Sequence, residues 1–434
     1  MDSTNKAVVS KTRLLISSPH LIFTLLFLLY MFDYLDRLII VSLFPFLRQE
    51  WGISDTQCGL LVSAVYWSIL IFTLPVSILI DRWSRIKIIG LMAVLWSVAT
   101  LACAFTKNFG QLFAARTAIG LGEAGYAPGG TAMISALFPK EKRAKILGIW
   151  NASIPLGSAL GIALGGIIAD RFGWRQAFGL VALPGVIVAL LFFYVRDYKT
   201  IELTRPAGSE DEKPGSKMQW KDSASHLLKN KTLIFNNLAF AANTFVTTAL
   251  LTWLPSYFQR GEGISMSRAS TKSGIVMLLA IIGAPLGGYL ADRWLQSRRN
   301  ARLLFPSLSS CLTGVLLFMA FSLYHGEIQY ALLLAVGMAA VAFVPAAAAV
   351  TQDVVHPGLR AVSLSLCVII QHILGSALGP PTIGALSDAF GLETAMAFLP
   401  LFAVLAGILF FIGSFFYDSD VRLAEEVQTR PEGY

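Results

Sequence analysis

The sequence contains the same short patterns twice, about half a chain apart. Residues 157–161 and 375–379 both read Gly-Ser-Ala-Leu-Gly, and Asp170 and Asp388 follow at the same spacing. Residues 81–83 and 292–294 both read Asp-Arg-Trp. Because several anchors, two of them charged, recur in nearly one register, we interpret the chain as two copies of one unit. A duplicated chain is restricted to two related halves, and its functional site is expected between them.

The apolar stretches of each copy have the length of membrane spans. Only 14% of the 434 residues are charged and 55% are hydrophobic, whereas about 25% charged residues is usual for a soluble domain. About 20 helical residues cross a hydrocarbon core of about 30 Å. We therefore predict an all-α membrane protein with twelve transmembrane helices in two pseudo-symmetric six-helix bundles, at residues 21–47, 56–80, 86–106, 110–138, 144–169, 175–195, 232–258, 267–291, 301–323, 328–351, 359–386 and 392–417.

Charge placement predicts the orientation of the chain and its division into domains. Residues 1–195 form an N-terminal bundle, 196–231 a cytoplasmic linker, and 232–434 a C-terminal bundle with a cytoplasmic tail. Most of the 34 Lys and Arg residues lie in the termini and in the even-to-odd loops, so the positive-inside rule places both termini in the cytoplasm. This bias explains the net charge of +8 without a nucleic-acid partner. We expect a monomeric, multi-pass protein of the cell membrane.

Two spans carry ionisable residues at depth, and both lie in the first half. Span one contains Asp33, Asp36 and Arg37, and span four contains Arg116 and Glu123. Charges at this depth usually face a protein interior or a wet cavity. Four-residue spacing lets Asp33 pair with Arg37, and that pair is equally compatible with a structural bridge. For Asp36, Arg116 and Glu123 we favour a function, since apolar pairs would join helices at lower desolvation cost.

The function that suits these carboxylates is proton coupling. Burial and a nearby guanidinium change proton affinity in opposite directions, so a conformational change can switch the protonation of Asp36 or Glu123. A deprotonated carboxylate would hold an arginine, and a protonated one would release it. We therefore predict that Arg37 and Arg116 bind an anionic substrate, with bidentate geometry available to the guanidinium.

The second half offers few polar groups at depth and many apolar ones. Asn243 is a candidate substrate contact. His372 has two interpretations, a hydrogen-bonded packing residue or a substrate donor and proton relay. A charged half opposite a polar-poor half suits an amphipathic anion or zwitterion, with its tail along apolar walls. The alternative substrate is a small organic anion such as a sugar acid. The apolar candidates include Phe240, Phe245, Trp253, Phe343 and residues 346–349.

Small residues recur where these helices would pack closely. Gly157, Gly161 and Gly165 follow each other at four-residue spacing, and Gly375 and Gly379 repeat the pattern. Such stripes let helices approach closely in lipid. We expect these interfaces to slide or tilt during a transport cycle.

The loop motifs resemble those of the major facilitator superfamily. Residues 77–85 are similar to its cytoplasmic motif after span two, and residues 288–293 to the copy in the second half. Ser77 and Ser84 stand where the family usually has Gly. In the family the motif's Asp helps to hold the halves together, which makes physical sense for an anion near the N-terminus of span eleven. The resemblance implies gating roles for Asp81, Arg82, Arg85, Asp292 and Arg293.

A narrower resemblance covers residues 21–195. Residues 34–37 in span one, with Arg116 and residues 122–126 in span four, resemble the spinster-like transporters, and Tyr126 becomes a further candidate substrate contact. Organic anion:cation symporters share the same charge placement. Spinster relatives imply lysophospholipid or sphingoid amphiphiles, and the symporters imply sugar acids and other carboxylates. In both families, residues that match Asp36 and Glu123 are proton-coupling candidates.

Three other classes of function fit the sequence less well. A channel more often builds its pore from several subunits, whereas a duplicated pair with a central site is typical of alternating access. A receptor or scaffold would not need coupled carboxylates. An enzyme is not expected, because the sequence has no metal-ligand spacing, nucleophile elbow or phosphate loop. No cofactor or metal is expected, and the four cysteines suggest no disulfides.

Overall fold

The computed structural model describes residues 18–82, 85–195, 227, 229–356 and 359–429, and within these ranges it is almost entirely helical. A short 3₁₀ segment, Ile39–Ser42, follows the first helix. The helices of the first half are α1 (Pro19–Leu38), α2 (Phe44–Trp51), α3 (Asp55–Arg82), α4 (Arg85–Cys103), α5 (Phe109–Glu123), α6 (Tyr126–Leu137), α7 (Lys140–Asn151), α8 (Ser153–Phe172) and α9 (Trp174–Phe192).

The second half repeats this order. Two π-helical segments, Met319–Leu323 and Gln371–Ser376, extend its helices. The helices are α10 (Lys231–Glu262), α11 (Met266–Leu278), α12 (Ala280–Leu295), α13 (Ala301–Phe318), α14 (Gly326–Ala342), α15 (Val344–Asp353), α16 (Arg360–Ile370), α17 (Gly379–Phe390), α18 (Leu392–Met396), α19 (Leu399–Ser414) and α20 (Tyr417–Thr429).

Ten helices or joined helix pairs in the described residues are long and apolar enough to cross a membrane. The other two predicted spans are the ones that carry buried charge. They correspond to α1 and to the pair α5 and α6, which is interrupted at Ala124 and Gly125. The predicted twelve-span organisation is thus confirmed, although several spans, span four among them, are divided into separate helices where a single helix was expected. Most of the predicted linker, residues 196–226 and 228, lies outside the described residues.

The duplication is visible in the backbone as well as in the sequence. Gly52 and Gly263 both end a helix in the left-handed region at φ 63°. Gly173 and Gly391 also have positive φ, at 94° and 84°. A residue with a Cβ would be strained at these positions, whereas glycine adopts them freely. Each half therefore turns at the same two places.

Glycine stripes bring α8 against α1, and the π segment with α17 against α10. A methyl group on Gly157 or Gly161 would lie 2.2 or 2.5 Å from a backbone carbonyl oxygen of α1. On Gly375 or Gly379 it would lie 2.8 or 2.9 Å from a carbonyl oxygen of α10. These contacts confirm the close packing that the sequence spacing predicts, and they fix the position of α1, which carries most of the buried charge.

The two halves contact each other mainly at one end of the bundle. We call this end the outer face; it contains the turns at Gly52, Gly173, Gly263 and Gly391. Hydrogen bonds between the halves cluster there, and they include those that join Asp388 to the first turn of α3. The opposite end, where α1 begins and where α20 packs, is called the inner face.

Candidate functional site

Arg37 lies at the centre of the buried charges, between two carboxylates. Its Nη2 donates to Oδ2 of Asp33 at 2.9 Å, one helical turn earlier on α1. The same nitrogen forms an ion pair with Oε2 of Glu123 at 2.9 Å. Glu123 is the last residue of α5, so its side chain reaches α1 from a helix end. All three residues are buried, with 1 to 5% of their surface exposed.

Aromatic rings surround this charge cluster. The guanidinium of Arg37 lies over the ring of Tyr34, 4.5 Å from its centroid, and 5.5 Å from that of Tyr66. Tyr30 stacks on Trp150 with centroids 4.3 Å apart. Rings attract a cation through their negative faces. The aromatic wall therefore stabilises a charged Arg37 without consuming its hydrogen-bond donors.

Arg116 donates to backbone carbonyls in this structure, and its predicted contact with substrate stays a prediction. Its Nη1 and Nη2 donate to the carbonyls of Asp36 and Arg37 at 3.1 and 2.7 Å, and its Nε donates to the carbonyl of Leu61 at 3.1 Å. Carbonyls in the last turn of an α-helix lack intrahelical partners, and α1 ends at Leu38. The fully buried guanidinium thus caps α1 and joins it to α3, whereas Glu123 pairs with Arg37.

Asp36 lies apart from the Arg37 cluster. It is fully buried, and neither carboxylate oxygen has a hydrogen-bond partner among the described residues. The nearby Ser97 hydroxyl on α4 also lacks a hydrogen-bond partner in the part of the chain that the structure describes. Both flank Gly185 of α9: a methyl group built there would lie 3.1 Å from Ser97 Oγ and 4.0 Å from Asp36 Oδ2. Asp36 therefore faces the interior of the first half.

Of the three remaining candidate substrate contacts, one reaches the other half. The ring of His372 stacks on Tyr66 with centroids 5.8 Å apart, and its Nδ1 has no partner in the described structure. Tyr126 donates to the carbonyl of Leu26, and Asn243 Nδ2 donates to Ser310 Oγ at 2.8 Å. Tyr126 and Asn243 are thus hydrogen-bonded within their own halves. Arg37 and His372 both lie beside the ring of Tyr66.

Tyr66 is a residue that the sequence did not single out. It lies between Arg37 of its own half and His372 of the other. His372 belongs to the π segment Gln371–Ser376, and π segments within α-helices often occur at functional sites. One tyrosine among many membrane aromatics gives no sequence signal. Only the fold shows that it bridges the halves.

The apolar residues proposed to line a tail-binding wall are largely packed within the second half. Phe240 meets Phe343 edge to face at 4.9 Å, and Phe245 stacks on Phe402 at 4.1 Å. Trp253 is buried and donates to the carbonyl of Pro380. These side chains act as core in this conformation.

The predicted gating residues are only partly described. The side chains of Asp81, Arg82 and Arg85 lie outside the described part of the structure, although their backbone is helical. Asp292 is exposed and lies 4.0 Å from Arg302, which pairs more closely with Asp353. Arg293 donates to the hydroxyl of Tyr289.

Comparisons with known proteins agree with this architecture. The family model described as Major Facilitator Superfamily matches residues 26–376. A hexuronate transporter of Bacillus subtilis (strain 168) is 30% identical over 302 residues, 68% of this chain and 71% of the relative. The sphingosine-1-phosphate transporter SPNS2 of Xenopus tropicalis is 27% identical over 430 residues, 91% and 82% of the two chains.

A solved structure has the same fold. It is a bacterial homolog of the human lysosomal transporter spinster, described as inward-facing and unoccupied. The TM-score is 0.80 at 21% identity, and the match covers 95% of this chain and 99% of the other.

Proposed function

Because the chain belongs to the major facilitator superfamily of transporters, we propose that it is a proton-coupled secondary transporter of an amphipathic anion or zwitterion. The observation that carries this proposal is the buried Arg37, held between Asp33 and Glu123 at 2.9 Å from each. We further propose that the protein works by alternating access between its two halves. The Lys and Arg bias supports an orientation with the inner face in the cytoplasm.

Proton coupling follows from competition for Arg37. While Glu123 is ionised, it occupies the guanidinium. Protonation of Glu123 removes that charge and leaves donors of Arg37 free for an anionic group of the substrate. A guanidinium can bind a carboxylate or phosphate with two parallel hydrogen bonds. Proton binding and anion binding are then linked, because each favours the same arrangement of Arg37.

Asp36 supplies a second proton site in this scheme. An ionised carboxylate buried without a partner is costly, so we propose that Asp36 carries a proton in the arrangement described. It would give up that proton when a rearrangement of α1 admits water. Arg116 connects the two sites, since it holds the carbonyls of both Asp36 and Arg37. In this proposal Arg116 positions α1, and its predicted contact with substrate would require it to leave those carbonyls.

Two substrate classes are supported by separate observations. The similarity to a sphingosine-1-phosphate transporter over 91% of this chain favours an amphiphile. The aromatic residues around Arg37 suit the apolar part of such a molecule next to its charged head. The second candidate is a small organic anion, which the similarity to a hexuronate transporter favours. His372 is the group of the second half best placed to contact either head.

Uptake into proteoliposomes tests the coupling. Purified protein is reconstituted, and accumulation of sphingosine-1-phosphate, lysophosphatidylcholine and glucuronate is measured with and without a pH gradient. We expect Asp36→Asn and Glu123→Gln each to abolish gradient-driven accumulation and to retain substrate exchange. Undiminished pH-driven uptake in both single variants would contradict proton coupling at these residues.

A ligand screen separates the substrate classes. A ligand that binds only the folded state stabilises the protein by mass action. We expect lysolipids to raise the thermal unfolding midpoint more than glucuronate does. Tight glucuronate binding that lysolipids do not displace would select the small-anion alternative.

A further inference from the structure

Two repeat-related aspartates cap helices of the opposite half at the outer face. Oδ1 of Asp388 accepts the backbone N–H of Asp55, and its Oδ2 accepts the N–H and hydroxyl of Thr56, at 2.7 to 2.8 Å. Asp170 accepts the backbone N–H of Ser267. These contacts lie in the first turns of α3 and α11, where N–H groups lack intrahelical partners and attract an anion.

Small residues next to the aspartates bring the backbones into contact. A methyl group on Gly384 would lie 2.5 Å from the carbonyl oxygen of Asp55. On Gly166 it would lie 2.3 Å from the hydroxyl of Ser270 and 2.8 Å from the carbonyl oxygen of Met266. The two contacts are therefore copies of one closure, each made by a Gly and an Asp of one half against a helix start of the other.

The two copies differ in charge. In the first, Asp55 accepts two hydrogen bonds from Arg260 of the other half, both at 2.7 Å, and one from Ser387 at 2.6 Å. Its side chain is 2% exposed. Thr56 and Ser267 are repeat counterparts at an offset of 211 residues, and the same offset relates Asp55 to Met266. Met266 carries no charge. Among the described residues, one copy thus has an ion pair across the halves, and the other has the aspartate cap and a neutral hydrogen bond from Ser270 to Ser42.

We infer that the Asp55–Arg260 ion pair, together with the Asp388 cap, is the principal latch of the outer face, and that the Asp170 contact is a weaker second latch. Opening must break two charge-assisted hydrogen bonds to Arg260 and three to Asp388. Such bonds are stronger than neutral ones. This inference rests on the alternating access in the proposed function, and it concerns the outer face, whose contacts involve none of the proposed proton sites.

Spin-label distances measure the latch without any substrate. Labels are attached to Lys107→Cys, in an outer loop of the first half, and to Glu327→Cys, at the exposed start of α14 in the second half, after the four native cysteines are replaced. Distance distributions are recorded by pulsed electron resonance in nanodiscs. We expect Arg260→Gln and Asp388→Asn each to raise the ratio of open to closed outer faces at least about tenfold. Asp170→Asn is expected to have a smaller effect.

A matched control lies in the same ion cluster. Arg48 also donates to Asp55, at 2.8 Å, but it belongs to the same half as Asp55. Arg48→Gln should therefore leave the distances unchanged, and Arg260→Lys should recover part of the closed population. An equal opening in Arg48→Gln, or none in Arg260→Gln and Asp388→Asn, would overturn the inference. If Asp388→Asn does not fold, Thr56→Val removes one of its three contacts and should open the face to a smaller extent.

Because no substrate is present, a failed uptake assay leaves this result intact. Unchanged distances would in turn refute the latch and leave proton coupling unaffected.

Discussion

The two halves pack their first helices in the same way, yet among the described residues only the first half buries a cluster of charges. The glycine stripe of the first half packs on the carbonyl oxygens of Met31 and Leu35, and that of the second half packs on those of Ala241 and Phe245. In each half the two carbonyls are four residues apart. A residue of α1 therefore corresponds to the residue of α10 that lies 210 positions later (31 to 241, 35 to 245). This structural register allows the two halves to be compared position by position.

The charged positions of α1 have neutral counterparts in α10. Asp33 corresponds to Asn243 and Arg37 to Thr247. Asn243 forms a neutral hydrogen bond with Ser310, where Asp33 forms an ion pair with Arg37. The first helix of each half is therefore held by the same close backbone contacts, whether or not its side chains are charged. Buried charge at these positions thus belongs to one half, as the proposed coupling site requires.

The largest effect is expected at Arg37, and it distinguishes Arg37 from Arg116, the other arginine that is buried in the described spans of the first half. Arg37→Lys keeps the charge but loses the planar fork, so we expect the KM for an anionic substrate to rise about 10- to 100-fold. The measurement is initial uptake over a range of substrate concentrations in proteoliposomes. Wild-type affinity in Arg37→Lys would show that a point charge is sufficient.

Arg116→Lys is the companion variant. A lysine cannot reach three carbonyls on two helices, so we expect a lower thermal unfolding midpoint and a smaller change in KM. A KM change as large as that of Arg37→Lys, with unchanged stability, would instead support direct substrate binding by Arg116.

These two arginines also show which features of the site can be predicted from the sequence and which cannot. Repeat spacing predicts the duplication and the number of spans. The rarity of charges at membrane depth singles out Arg37 and Glu123 as candidate site residues. The sequence does not show that Arg116 binds carbonyls, because carbonyls at a helix end have no residue signature. Likewise, seven-residue spacing predicts a shared face for Arg116 and Glu123 but cannot choose their partners. Those partners depend on where α1 lies against α5.

The second prediction tests the shared framework. Gly161→Ala places a methyl group 2.5 Å from the carbonyl oxygen of Leu35, and Gly379→Ala places one 2.9 Å from that of Phe245. Overpacking of this kind costs about 1 to 3 kcal/mol. We expect both variants to unfold at lower temperature, with the greater loss for Gly161→Ala. In the control, Gly148→Ala, the methyl group meets nothing within 4 Å and should not destabilise.

A smaller effect is expected at the neutral counterpart of Asp33. Asn243→Ala removes a hydrogen bond worth about 1 kcal/mol, while Ser310 keeps its bond to the carbonyl of Pro306. We expect slightly lower thermal stability and unchanged pH-driven accumulation. A double-mutant cycle with Ser310→Ala measures the pair. Loss of proton coupling in Asn243→Ala would show that the second half takes part in it after all.

The smallest effect concerns an ion pair at the outer edge that the second half lacks. Arg175 and Trp174 donate to Glu50, and these hydrogen bonds hold the pKa of its carboxyl below the usual value. The repeat counterparts of Glu50 and Arg175 are Gly261 and Glu393, which cannot form such a pair. Because both side chains are substantially exposed, we expect Glu50→Gln to lower the free energy of unfolding by less than about 1 kcal/mol.

The sign of its pH dependence follows from the lowered pKa. The contribution of Glu50 is present above the unfolded pKa of about 4.3 and disappears as the pH falls through the lower folded pKa. The unfolding midpoints of wild type and Glu50→Gln should therefore differ at pH 7 and converge as the solution is acidified below about pH 4. A difference for Glu50→Gln that persists in acid would mean that packing against Trp174, rather than charge, is what the first half gains here.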